Sequence, residues 1–159
     1  MKTIRTLLLI AFTASTMSTA RAADNPAVKK DMDQLQGDWS MVSGSADGFP
    51  VPESMLGNSK RICKGDETTA ILGGQLFFKA KFTIDPSKKP KTIDYQMTEG
   101  PTKGKKQLGI YELDGDRVKF CFGAAGAERP ADFTSKPGDG RTASLWKRQK
   151  EPTPQPASK

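Results

Sequence analysis

Strict alternation of apolar and polar residues, interrupted by glycine- or proline-bearing turns, constrains this chain more than any other feature. In "LFFKAKFTI" (76–84), Leu76, Phe78, Ala80, Phe82 and Ile84 share one face, opposite Phe77, Lys79, Lys81 and Thr83. In "TIDYQMT" (92–98), Ile93, Tyr95 and Met97 oppose Thr92, Asp94 and Gln96; in "RVKFCF" (117–122), Val118, Phe120 and Phe122 oppose Lys119 and Cys121. Successive side chains of a strand point to opposite faces, so each run buries one face and wets the other, the pattern of antiparallel sheet.

Strands are expected near 38–43, 59–64, 67–72, 75–84, 92–98, 106–113, 117–122 and 141–148, with "ADFTS" (131–135) as a candidate ninth. The connectors agree: "GG" (73–74) and "DGD" (114–116) supply the positive φ of tight hairpin turns, and "DPSKKPK" and "EGPTKGK" are longer loops of the same kind. No connector is long enough for a crossover helix. Eight hairpin-linked strands most economically curl into an up-and-down antiparallel β-barrel, which leaves no exposed edge; a packed sandwich is the alternative. Ahead of them, "NPAVKKDMDQLQG" predicts a short helix, with Asn25 as cap, Pro26 in the first turn, and Val28, Met32 and Leu35 on one face.

The ends are different. Lys2 and Arg5, the apolar run "LLLIAFTAST" and the small residues Ala20 and Ala22 form a secretory signal expected to be cut after residue 22. That run is too short for a membrane span. Cleavage removes three basic residues (Lys2, Arg5, Arg21) and no acid, so 25 basic residues become 22 against 18 acids, and the net charge falls from +7 to +4. The Pro-rich "EPTPQPASK" lacks large apolar residues and is expected to be a disordered tail (149–159), leaving one domain over 25–148. The chain contains no histidine, which removes Ser-His-Asp and Cys-His catalysis and the common zinc sites; no cofactor is expected.

Several stretches, in order, carry a resemblance: "LQGDWSMVS", "DGFPVP", "CKGDETT", "DPSKKPKTIDYQMTEGPTKGK", "LGIYELDGDRVKFCF", "ERPADF" and "LWKR". From about Leu35 to Arg148 the chain resembles the uncharacterised lipocalin-like domain family abundant in planctomycete bacteria. The resemblance implies a small calycin-type barrel and no established activity. It departs at Cys63, where that family more usually carries a large apolar residue. Gly37-Asp38-Trp39 also matches the Gly-x-Trp that opens the first strand of lipocalins. In that fold the indole closes the barrel base beneath an arginine from the last strand, for which Arg148 is the candidate here.

The candidate sites follow from the meander. Lys88, Lys89 and Lys91 should lie at the helix-plugged end and Lys103, Lys105 and Lys106 at the other, about 17–20 Å apart, with acids among the former. They form no continuous basic stripe, so nucleic acid is not an expected partner and the lysines are expected to solvate hairpin tips. "EGPTKGKK" lacks the spacing of a phosphate loop. Phe78, Phe82, Tyr95, Met97, Phe120 and Phe122 should line the barrel interior, which is either filled by these side chains or hollow enough for a small hydrophobic ligand. Any mouth should be framed by the long connections 44–59 and 123–140, with Arg129, Arg141 and the lysines at 103–106 making it basic. Those loops would otherwise serve a partner in the cell envelope. Cys63 and Cys121, on the second and seventh strands with Cys121 facing outward, are expected as separate thiols, although export would permit a disulfide. No pair of carboxylates stands out for general acid–base chemistry.

Overall fold

The computed structural model describes residues 25–150; the expected signal segment and all but the first two residues of the expected tail lie outside them. A helix, α1 (Pro26–Leu35), leads into β1 (Gly37–Ala46). Then follow a two-residue strand β2 (Phe49–Pro50), a single helical turn α2 (Glu53–Leu56), and seven strands: β3 (Lys60–Lys64), β4 (Glu67–Leu72), β5 (Gln75–Asp85), β6 (Lys91–Glu99), β7 (Lys106–Asp114), β8 (Arg117–Phe122) and β9 (Thr142–Arg148). Every neighbouring pair from β3 to β9 is antiparallel, and β1 pairs with both β3 and β9. The eight long strands therefore close into an up-and-down barrel. The ninth strand is the hairpin partner at Phe49–Pro50, while residues 131–135 contain none.

Closure is staggered. The first half of β1 pairs with β3 (Gly37↔Cys63 to Ser40↔Lys60), its far end pairs with β2, and β9 runs along it from Trp39↔Arg148 to Ala46↔Thr142. A bulge lets β1 do this: Met41 faces Trp146 and Ser43 faces Leu145, leaving Val42 between them, 40% exposed.

The base is sealed by α1. Asn25 caps it, its side-chain oxygen accepting from the Ala27 N–H at 2.9 Å. Leu35 is buried and Met32 packs against the core. Asp31 is also buried, and its Oδ2 accepts from the Tyr111 hydroxyl and from Lys91 Nζ, both at 2.7 Å. Lys91 is thus structural, a correction to its assignment with the solvated tip, whereas Lys88 and Lys89 are exposed. Trp39 is fully buried, its indole N–H donating to Leu35 O at 3.0 Å. The Arg148 guanidinium lies over the Trp39 ring, 4.3 Å from its centroid. It also donates to Gln36 O at 2.6 Å and to Gln34 O, satisfying carbonyls that a helix end leaves without intrahelical donors. One side chain closes the barrel base and caps the helix.

Replacing Arg148 with Ala removes both the cation–π contact and the two charge-assisted hydrogen bonds. The expected loss is about 2–4 kcal/mol in urea denaturation, and Arg148→Lys should recover less than half of it, because an ammonium lacks the planar fork. A change below about 0.5 kcal/mol, the size of an ordinary surface substitution, would contradict this role.

Candidate functional site

The six interior candidates meet in one cluster: Phe82, Tyr95, Met97, Phe120 and Phe122 are buried, and the partly buried Phe78 packs against them. Tyr95 is the hub, with ring centroids 4.3 Å from Phe122, 5.7 Å from Phe78 and 6.4 Å from Phe82; Phe120 and Phe122 stack at 6.0 Å. The tight contact depends on Gly109, directly across from Phe122 and facing inward, where a Cβ would come within 2.3 Å of the Phe122 ring. Leu76 does not join. A bulge between β4 and β5 pairs Ala70 with Phe78 and Ile71 with Leu76, so the alternation resets at Phe77, and Leu76 and Phe77 are 50% and 47% exposed.

A seventh interior residue matters more than these six. Arg61 is 3% exposed and lies in the barrel interior. Its direction follows from register: residues directly opposite in an antiparallel pair share a face, and Arg61 is opposite the inward Trp39 on one side and the buried Ala70 on the other. The same parity turns Cys63 inward and leaves Ile62 37% exposed. The guanidinium carbon lies 4.5 Å from the Phe120 ring centroid, 4.8 Å from Trp146, 5.8 Å from Phe78 and 5.9 Å from Tyr95. Nη1 donates to the Tyr95 hydroxyl and, at 3.4 Å, to Thr68 Oγ1. Nε–H is buried without an acceptor among the described residues. Among the described residues no carboxylate pairs with this cation.

Burial pushes the Tyr95 phenol up to about 12 against the opposing pull of the Arg61 charge. Burial also raises the Cys63 thiol, which donates to Thr68 Oγ1 at 3.5 Å. Cys121 does occupy an outward strand position, yet it is fully buried, its thiol raised to about 11 by burial and donating to Thr134 O at 3.6 Å. Both cysteines are free.

The cover over Cys121 reveals a second correction. The 123–140 connection folds back over the outer wall and lines neither hollow of the open end. Arg129 donates to Gly109 O at 2.6 Å and Ile93 O at 3.3 Å and pairs with Asp94 at 2.6 Å, while Arg141 lies 3.5 Å from Asp132 and 3.9 Å from Asp139. Arg129 holds the connection to the barrel wall, and Arg141 pairs with acids inside the connection. These two arginines do not make a basic rim.

Two small apolar hollows open at the end opposite α1. One, about 130 Å³, lies between Phe78, Tyr95, Met97 and Phe122 beneath the Pro101–Thr102 turn. The other, about 100 Å³, lies between Met41, Val51, Ala70, Leu72 and Trp146. Arg61, Phe77, Phe78, Thr142 and Ser144 line both, so the two phenylalanines partition one space whose charged element is the guanidinium. Larger depressions, about 320 Å³ beside Phe133 and about 350 Å³ beside Asp66 and Lys81, are open grooves without such enclosure. Among the described residues no cluster of acids and cysteines could hold a metal ion, and no helix is long and apolar enough to cross a membrane.

Fold and interior together define a closed antiparallel β-barrel with a solid base, an aromatic middle and a hollow, arginine-bearing end. The chain matches no family model, no curated protein and no solved structure in comparisons with each.

Both tyrosines of the chain, Tyr95 and Tyr111, are buried, and both phenols are raised, that of Tyr111 by burial and then by Asp31. A phenol raised in the folded state favours folding below its unfolded value of 10.0, and this stability is lost as pH climbs from 10.0 toward about 12. Phenolate absorbance should therefore stay silent at pH 10 and appear only together with loss of the near-ultraviolet circular dichroism. Half of the phenolate signal developing near pH 10 in folded protein would contradict the burial of one tyrosine.

Proposed function

We propose that the protein is an exported, non-catalytic barrel that binds a small apolar or amphipathic molecule at the open end of its interior. The observation that carries this reading is the pair of apolar hollows meeting at Phe77 and Phe78 above the buried Arg61. Phe77, half exposed at a bulge, is the side chain best placed to move and merge them. The interior below is filled by its own aromatics, so a ligand occupies the upper half only. The absence of histidine and the resemblance to lipocalin-like domains both support binding over catalysis. Export rests on the signal-like first 22 residues.

A second reading, a solid-cored module that meets a protein or envelope polymer through its rim loops, is favoured by the size of each hollow, below the several hundred Å³ of an ordinary ligand pocket. Native mass spectrometry with a panel of slender apolar probes separates the two. We expect one probe bound per chain, and Thr102→Trp, which fills the larger hollow from the turn above it, should weaken binding at least tenfold with the fold unchanged. Well-folded protein that takes up none of the probes would hand the case to the second reading.

A further inference from the structure

We infer that the ligand is a monoanion, an amphipathic carboxylate whose head group pairs with Arg61 inside the barrel and whose chain runs out through the apolar hollow. This rests on the reading above that the open end of the interior is a binding site.

The guanidinium supplies the chemistry. Of its five N–H donors, the hydrogen bonds to Tyr95 and Thr68 are both made from Nη1. Nε–H, on the opposite edge, has no acceptor among the described residues. That edge, formed by Nε and Nη2, is one of the planar forks that take a carboxylate through two parallel hydrogen bonds. A cation taken out of water carries a desolvation penalty that a carboxylate partner ordinarily offsets, and here none is present among the described residues. The faces of Phe120 and Trp146 hold the guanidinium by its π-surface and leave its edges for hydrogen bonding.

The surroundings narrow the class. Arg61 lines both hollows, whose walls are mainly apolar, with Thr142 and Ser144 shared between them and Thr102 and Gln107 in the larger, so the space beside the charge is small and largely apolar. An unbranched acyl chain fits such a space; a sugar or a nucleotide does not. One buried cation neutralises one negative charge. A phosphate monoester carries about 1.5–2 at pH 7 and would bring uncompensated charge into a low-dielectric interior. A carboxylate brings one.

Calorimetric titration of the purified protein with octanoate, octanol and octyl phosphate tests this. Octanoate should bind about ten- to a hundredfold more tightly than octanol, the range for a hydrogen-bonded charge pair. Arg61→Met, which keeps the length and apolar packing, should abolish that difference while octanol affinity stays within about threefold, a shift smaller than 1 kcal/mol. Should Arg61→Met fail to fold, the octanoate-to-octanol ratio of the unaltered protein decides alone. Equal affinity for acid and alcohol overturns the carboxylate assignment and leaves the binding site standing. Preference for octyl phosphate overturns the monoanion in favour of a phosphate head group. If none of the three binds, the binding site itself falls, and this inference with it.

Discussion

Closure of the sheet along β1 decides nearly everything else in this protein. Because β1 pairs with β3 on one side and β9 on the other, the facing of Trp39 is transmitted to both neighbours, to Arg61 across one seam and to Arg148 across the other. Parity then propagates around the barrel: Arg61 sets Ala70, and Ala70 sets Phe78. An open sheet would leave β3 two comparable faces, Ile62 between two lysines or Arg61 beside Cys63. A closed barrel gives it no choice, so a charged side chain goes inside and an isoleucine goes out.

Two arginines consequently meet aromatic rings at different heights of one barrel, with opposite outcomes. Arg148, at the base, has its cation–π contact to Trp39 supplemented by the carbonyls of Gln34 and Gln36, and its other surroundings include water. It finishes a structure. Arg61, in the interior, has four aromatic neighbours and two neutral hydroxyl acceptors but no counter-charge among the described residues. Asp31 shows how the same fold treats a buried charge whose role is structural: an ammonium and a phenol both donate to it. The contrast makes Arg61 the exceptional group, and it lies where the interior is hollow.

Much of the barrel could be read from the chain because period-two alternation and turn glycines act locally. The helix with its Asn25 cap, the eight long strands, and the inward faces of β6 and β8 all follow from such short-range rules. What escaped depends on partners distant in sequence. The bulges at Val42 and Phe77 reverse a face without leaving a glycine to mark them. "KRICK" offers two faces, neither clearly apolar, and only its pairing with Trp39 turns Arg61 inward. Cys121 obeys the alternation and is buried all the same, because a connection without regular structure lies over it. Arg129 reads as a free basic residue until Asp94 and the carbonyls of β6 and β7 are brought beneath it.

The claim that closure places an uncompensated guanidinium among aromatic rings is tested most directly by NMR of the arginine Nε–H resonances. The Arg61 proton, enclosed and near the faces of Phe120 and Trp146, should be displaced by ring currents and exchange with water far more slowly than that of the exposed Arg117. It should vanish in Arg61→Met with the other resonances in place. An Arg61 Nε–H that exchanges as fast as that of Arg117, at an unshifted frequency, would mean that β3 faces the other way and that the barrel does not close as described.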